Sequence, residues 1–324
     1  MTTTVSELAK PFTATTQKPF TGVEVRNVSR WYGNVVAVND VSFTLGPGIT
    51  GLLGPNGAGK TTILHTMAGL LRPSAGQVLV GGVAPADNPS IYRQLALVPE
   101  REAVQPFLSG HEFVRMCARL QKLPDVDAAT KRAIELVDLV DAQHRKIGTN
   151  SKGMRQRIKI AGAMVHDPGL FLLDEPFNGM DPRQRLDMMD LLRDLASQGR
   201  VIVISSHILE ELADLASNVL VMVAGRLAAS GHYREIRRLM TDRPHTFTIR
   251  SSDDRRLAST LLGDPTVFGV ELTAAGIVVR TSDRGALTRG LSRMARDASP
   301  SIRLLEIRPT DESLESVFSY LVDR

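Results

Sequence analysis

A glycine-rich stretch near residue 55 has the residue types and the spacing needed to bind phosphate groups. It fits the pattern G-x-x-x-x-G-K-[ST], and its residues are Gly54, Pro55, Asn56, Gly57, Ala58, Gly59, Lys60, Thr61 and Thr62. In this pattern the backbone N–H groups of the turn hold phosphates, helped by the positive end of the following helix. Lys60 would reach the β- and γ-phosphates, and the hydroxyl of Thr61 would ligate Mg²⁺.

The flanking sequence supplies the strand and the helix that such a loop requires. The apolar run 49–53 predicts a buried strand before the glycines. Apolar residues then recur at helical spacing between residues 63 and 71, which predicts a helix after them. A glycine-rich turn that binds nothing is the alternative, and the strand, the helix, the lysine and the threonine together argue against it.

Two adjacent acids follow a second apolar run, 169–173. Such a strand is buried on both faces, and acids at its carboxyl end lie in the crevice where doubly wound sheets bind ligands. Asp174 suits a water-mediated contact with Mg²⁺, and Glu175 suits polarisation of an attacking water; an acidic strand cap is the alternative. His207 follows the apolar run 201–204, and we expect it beside the same site rather than in a structural role.

The residues around these motifs predict a frame of strands with a helical insertion. The β-branched runs 23–28, 35–38 and 41–45 predict separate strands with turns between them. Trp31 and Tyr32 lie between the first two runs, where an aromatic ring can stack on adenine or lie in the core. Residues of about 100–165 are predicted to be mainly helical.

Two helix starts are recognisable within that insertion. Ser109 and Glu112 have the spacing of a capping box, with Ser109 as the N-cap. A further helix is predicted to open in the stretch 150–157 and to continue through Met164.

The length, the composition and the net charge of the chain exclude several classes of protein. The chain has 324 residues, which suggests about two domains. Its single cysteine, Cys117, excludes an internal disulfide framework, and its seven histidines show no metal-site spacing. No apolar run approaches the length of a membrane span. A net charge of +4 can indicate nucleic acid or an anionic membrane, but charges spread over solvated faces account for it.

The pattern of predicted strands and helices changes near residue 243. The remaining sequence predicts the order β-α-β-β-α-β, which is the ferredoxin-like arrangement. A last helix is predicted near Thr310, with Asp311 and Glu312 in its first turn. This segment contains no catalytic set.

Five motifs in order resemble those of the ATP-binding subunit of ABC transporters. They are the phosphate loop, Ser-Lys-Gly-Met-Arg-Gln-Arg at 151–157, Leu-Leu-Asp-Glu-Pro at 172–176, Gly-Met-Asp-Pro at 179–182 and the strand-tip His207. The resemblance covers roughly residues 21–240. The signature Ser-Lys-Gly-Met and the ending at 309–318 resemble the ABC-2-type branch of exporters, which includes drug and antibiotic resistance ATPases.

The resemblance implies a role for each motif. Tyr32 would stack on adenine, with Trp31 as the alternative, Glu175 would be the general base, and His207 would contact the γ-phosphate and the water. Asp181 would connect the two nucleotide sites of a dimer. Across the dimer interface, each ATP would meet the partner's signature, which consists of Ser151, Lys152, Gly153 and Met154.

Two positions depart from the family pattern. Glu100 stands where a Mg²⁺-sensing glutamine is usual, and a carboxylate also suits Mg²⁺. Asn150 replaces the usual apolar or aromatic residue before Ser151, which bears on the packing of that loop.

The resemblance implies an α/β fold: a P-loop ABC cassette with a mixed RecA-like core sheet, an antiparallel β subdomain and a helical subdomain, followed by a small C-terminal α+β domain. The predicted domains are a flexible tail at 1–20, the ATPase domain at 21–240 with its helical subdomain at about 100–165, and an accessory domain at 241–324.

The implied function is an ATP-hydrolysing subunit, with ATP and Mg²⁺, that energises export through a separate ABC-2-type permease. It would act with a second ATPase subunit, an identical copy or a paralogue, peripherally on the cytoplasmic face of the cell membrane. The segment 99–110 would contact a cytoplasmic helix of the permease.

The alternative is a soluble ABC-type ATPase acting on nucleic acid or ribosomes. Such proteins usually carry two cassettes, or zinc or coiled-coil insertions. This sequence shows one cassette, no CxxC pair and no long heptad run, so no nucleic acid partner is expected. The intact Lys60, Asp174, Glu175 and His207 argue against a non-hydrolytic regulator.

Overall fold

A computed structural model describes residues 20–101, 104–216, 218–239, 244–297, 301–310 and 314–322. The predicted tail, apart from Phe20, lies outside these residues, as do Asp311 and Glu312 at the predicted start of the last helix. The described chain divides into two compact units between Gly231 and His232. The predicted domain boundary at 240/241 falls outside the described residues and stays a prediction.

The first unit contains both strands and helices. Its strands are β1 (Val23–Tyr32), β2 (Val35–Leu45), β3 (Gly48–Leu53), β4 (Ala75–Val80), β5 (Leu95–Val98), β6 (Leu170–Asp174), β7 (Val201–Ser205), β8 (Asn218–Val223) and β9 (Arg226–His232). Its helices are α1 (Lys60–Met67), α2 (Gly110–Leu120), α3 (Val126–Leu136), α4 (Lys152–Met164), α5 (Pro182–Ser197) and α6 (Leu209–Leu215).

Within the described ranges, a six-stranded sheet in the order β5-β6-β7-β3-β8-β9 forms the centre of this unit. The neighbours from β5 to β8 pair in parallel. Every residue of β6 and β7 is buried, as expected for parallel strands covered on both faces. Because parallel strands end at the same edge, the carboxyl ends of β3, β6 and β7 lie together.

The other layers are an antiparallel sheet and a group of helices. The strands β2, β1 and β4 pair antiparallel in that order. The prediction of separate strands at 35–38 and 41–45 is wrong, because β2 continues through a left-handed Asp40 with φ +51°.

The helices α2, α3 and α4 pack together. The capping box of α2 is confirmed, since Ser109 N donates to Glu112 Oε2 at 2.8 Å and Glu112 N donates to Ser109 Oγ at 3.1 Å.

The second unit has its own sheet and core. Its elements are α7 (Tyr233–Leu239), β10 (His245–Ser251), α8 (Asp254–Leu261), β11 (Val267–Thr273), β12 (Gly276–Thr281), α9 (Arg284–Asp297), β13 (Leu304–Pro309) and α10 (Leu314–Val322). The sheet order β11-β12-β10-β13, with antiparallel pairing throughout, is the split βαβ arrangement. Phe247, Ile249, Leu257 and Leu287 lie in its core.

None of the helices in the described segments is both long enough and apolar enough to cross a membrane.

Candidate active site

The glycine-rich stretch forms the turn between β3 and α1. A Cβ atom at Gly54 would lie 2.5 Å from the carbonyl oxygen of Met222, and one at Gly59 would lie 2.5 Å from that of Ala37. Gly59 also has a φ of +96°, which disfavours any other residue. The N-terminus of α1 has no side-chain cap and no acid in its first turn. Its N–H groups and positive dipole end are therefore suited to an anion.

The ammonium of Lys60 lies across this turn. Its Nζ donates to the carbonyl oxygens of Gly54 at 2.7 Å and Pro55 at 3.2 Å. Burial lowers the pKa of Lys60, while the charges of Glu175, Asp174 and Glu100 act in the opposite direction. The side-chain nitrogen of Lys60 therefore lies in front of the turn, where three carboxylates act on it electrostatically.

Asp174 is held between two hydroxyl groups. Thr61 Oγ1 donates to Asp174 Oδ2 at 2.8 Å, and Ser205 Oγ donates to Asp174 Oδ1. Asp174 and Ser205 are also paired in the parallel register of β6 and β7. Sequence reasoning assigned no role to Ser205, although a serine at the tip of a buried strand was a usable signal.

The oxygens around Asp174 fit Mg²⁺. A hydroxyl and a carboxylate are hard oxygen ligands, and Mg²⁺ is usually bound by one or two carboxylates, waters and substrate phosphates. No cluster of three or more metal-binding side chains is present among the residues that the structure describes. A bound Mg²⁺ would therefore depend on phosphate oxygens as well as on Thr61 and Asp174.

Glu175 and His207 form a hydrogen-bonded pair. Glu175 Oε2 lies 2.9 Å from His207 Nδ1, and Glu175 N donates to the carbonyl and the hydroxyl of Ser205 at 3.1 and 3.2 Å. The backbone of Glu175 is left-handed, with φ +51°, a conformation that persists in non-glycine residues only when the surroundings hold it. Burial raises the pKa of Glu175, and the hydrogen bond with His207 counteracts that rise.

The predicted aromatic residues lie at the end of β1. Trp31 is 44% exposed and Tyr32 is 45% exposed, so neither is part of the core. The guanidinium of Arg30 lies 4.6 Å from the centre of the Tyr32 ring. The Tyr32 ring is therefore available to stack on another planar group.

The signature residues lie at the start of α4. Ser151 caps this helix, accepting a hydrogen bond from Met154 N at 3.2 Å. A Cβ atom on Gly153 would lie 2.7 Å from the carbonyl oxygen of Gly179, so the signature packs closely against the stretch that leads to Asp181. Asp181 in turn caps α5, through Gln184 N at 2.9 Å.

The described contacts separate these residues into two groups. Lys60, Thr61, Asp174, Glu175 and His207 are joined by hydrogen bonds or by mutual electrostatic effects. In the described part of this chain, no hydrogen bond or ion pair connects Ser151 to any of them. Ser151 is thus not part of the same hydrogen-bonded network.

Comparison with known proteins gives a consistent result. A family model for ABC transporters matches residues 38–178. The chain is 33% identical over 290 residues to the doxorubicin resistance ATP-binding protein DrrA of Mycobacterium tuberculosis, covering 87% of this chain and 83% of that one. It is 38% identical over 208 residues to an uncharacterized ABC transporter ATP-binding protein of Nostoc sp., and it spans 62% of that relative's length.

A solved structure of the ATP binding subunit of an ABC transporter is also similar. It shares 30% identity with a TM-score of 0.63, over 68% of this chain and 93% of that one. The predicted fold class is confirmed by this likeness and by the sheets described above. The chain therefore belongs to the ATP-binding subunits of ABC transporters, in their exporter branch, and it is an ATPase.

Proposed function

We propose that this ATPase hydrolyses ATP at sites completed by a second ATPase subunit and drives export through a separate ABC-2-type permease. The observation that carries the proposal is the convergence of Lys60, Thr61, Asp174, Glu175 and His207 at one sheet edge, apart from Ser151. The relative named for doxorubicin resistance supports export. The chain would act at the cytoplasmic face of the cell membrane.

The phosphates would be bound by residues 54–62. Lys60 and the free N–H groups at the start of α1 provide positive charge, and Tyr32 would stack on adenine. Thr61, Asp174 and Glu100 would hold Mg²⁺, which when bound neutralises charge on the phosphates. Glu175 would accept a proton from the attacking water, since its raised pKa makes it a better base than an exposed glutamate.

His207 would favour the ionised form of the general base Glu175. Its hydrogen bond lowers the pKa of Glu175 against the effect of burial, which favours the ionised carboxylate that a general base requires. As an exposed side chain, it can also contact the γ-phosphate and the water.

The signature would act on the partner's nucleotide. Ser151 and Lys152 are exposed at the start of the 13-residue helix α4, whose first turn has no acid. This positive helix end would contact the γ-phosphate held by the other subunit, together with Gly153 and Met154. Asp181, next to the signature through Gly179, would connect the two sites. The partner would be an identical copy or a paralogue.

A groove beside β5 is our candidate for the permease contact. Its volume is about 350 Å³, and Leu70 and Leu120, two of its lining residues, are 56% and 74% exposed. Cys117 also lines it, and burial raises the pKa of that thiol to about 11. The groove reaches Pro99, where the predicted segment 99–110 begins. It would receive an apolar cytoplasmic helix of the permease.

Replacing Leu120 with aspartate should release the protein from membranes. A charge in the contact would be desolvated without a partner, which costs several kcal/mol, so membrane association should weaken at least about tenfold. The measurement is the membrane-bound share of full-length protein in cells of the native host. Leu262→Asp is the matched control, since Leu262 is 63% exposed and lies in the second unit. Equal membrane binding of the two variants would contradict the proposed contact.

Replacing His207 with alanine should shift the pH dependence of hydrolysis. Loss of the hydrogen bond removes an effect that lowers the pKa of Glu175, so that pKa should rise further. A general base is active above its pKa, and activity is lost as the pH falls through it. The acidic limb of the pH–rate profile should therefore move to higher pH.

The control for this change is His232→Ala, which removes the histidine at the end of β9. An acidic limb that stays in place, or moves to lower pH, would argue against the pairing of His207 with the base.

For the segment 241–324 we propose an accessory domain without catalytic residues. Its last helix places Leu314 in a buried position, with Phe318 and Leu321 half-buried. The side chain of Val317 in the same helix lies outside the described residues.

A further inference from the structure

Lys159 is a buried lysine in the middle of the signature helix α4. It is only 6% exposed. Its Nζ donates to the carbonyl oxygens of Pro99 at 2.6 Å and Arg101 at 3.1 Å, with a longer contact of 3.4 Å to that of Glu100. Hydrogen bonds from an ammonium are stronger than those between neutral groups.

The three carbonyls belong to the segment that follows β5 and carries Glu100. A lysine ammonium has three donors and no acceptor, so one side chain can bind three successive carbonyl groups. These contacts connect α4, whose N-cap is Ser151, to a segment about 60 residues earlier in the sequence. The backbone position of Glu100 therefore depends on α4.

Lys159 also stands between two cavities. One is the groove of about 350 Å³ beside β5. The other is a smaller cavity of about 80 Å³, lined by Glu100, Gln156 and Asn178 among others. Gln156 Nε2 lies 3.5 Å from the carbonyl oxygen of Glu175. Lys159 thus lines both the proposed permease groove and the smaller cavity beside the nucleotide-binding residues.

We propose that Lys159 is a positioning residue that fixes the Glu100 segment to the signature helix. The inference rests on the proposed metal-binding role of Glu100. The Glu100 carboxylate acts on the nucleotide of its own subunit, whereas the signature acts on the nucleotide of the partner subunit. Lys159 makes these two groups move together. A permease helix bound in the groove would act on the Glu100 segment and on the signature helix through Lys159.

The test compares Lys159→Met, which keeps the length but removes the donors, with Lys159→Arg, which keeps them. Lys131→Met is the control, because Lys131 lies on α3 with its side chain 78% exposed. Mn²⁺ is titrated into full-length protein saturated with a non-hydrolysable ATP analogue, and free Mn²⁺ is measured by electron paramagnetic resonance. Binding of the analogue in EDTA and thermal unfolding are measured on the same samples.

Lys159→Met should weaken Mn²⁺ binding by about tenfold, the factor that corresponds to losing one charge-assisted hydrogen bond. Analogue binding in EDTA should change little. Lys159→Arg should restore most of the Mn²⁺ affinity, and Lys131→Met should match the wild type.

Unchanged Mn²⁺ affinity in a folded Lys159→Met protein would overturn the proposal. Equal losses of Mn²⁺ and metal-free analogue binding would do the same, since they would indicate a general structural role. If the methionine variant does not fold, Lys159→Gln replaces it with the same expectations. A wild-type protein that binds neither the analogue nor Mn²⁺ would instead contradict the proposed function itself.

Discussion

Replacing Glu175 with glutamine should reduce ATP hydrolysis by about 10²- to 10⁴-fold, the usual contribution of a general base. The amide has nearly the same shape but cannot accept a proton from water. The phosphate-binding residues stay in place, because Glu175 N binds Ser205 through the backbone. ATP binding should therefore remain close to that of the wild type. Phosphate release and equilibrium binding of a fluorescent ATP analogue measure the two effects separately.

Glu210→Gln is the matched control for this prediction. Glu210 is an exposed acid in the first turn of α6, three residues after His207. The Glu210→Gln protein should hydrolyse ATP at nearly the wild-type rate. If Glu175→Gln also turned over normally, Glu175 would lose its role as the base.

Two inactive variants should restore activity when they are mixed. Ser151→Arg places a large cation at the signature, and Lys60→Ala removes the charge from the phosphate loop. Each change alone should lower hydrolysis by at least about 10²-fold, as removal of a transition-state contact typically does. A mixed dimer combines an intact phosphate loop from one subunit with an intact signature from the other. Random pairing should then recover about one quarter of wild-type activity.

ATP binding by the single variants separates the two roles. Ser151→Arg should still bind ATP, whereas Lys60→Ala should bind it weakly because the charge facing the phosphates is lost. Loss of ATP binding in the Ser151→Arg protein alone would refute the arrangement in trans. So would full wild-type activity in the mixture, because only one of its two sites can be intact.

Much of the candidate site could be predicted because it follows from local sequence. The predicted strand at 49–53 agrees with β3 to within one residue, and the predicted end of α4 at Met164 matches the structure, since apolar runs and caps act over a few residues. The placement of Asp174 and His207 at neighbouring strand ends followed from the rule that parallel strands end at one edge.

Other features depend on contacts between distant residues. The hydrogen bond from Ser205 to Asp174 requires the register of β6 against β7, which no local pattern specifies. Asp40 was interpreted as part of a turn, whereas pairing with β1 keeps β2 continuous through it. Lys159 had no visible role, because its partners lie about 60 residues earlier in the chain and are backbone carbonyls.

The central claim is that ATP is held between two subunits, and the mass of the Glu175→Gln protein in solution tests it most directly. Light scattering after size exclusion should give the mass of a monomer without nucleotide. At saturating ATP and Mg²⁺, the same protein should have the mass of a dimer, because the uncleaved γ-phosphate joins the phosphate loop of one copy to the signature of the other. A protein that binds ATP but keeps the monomer mass would contradict an ATP site built from two copies of this chain.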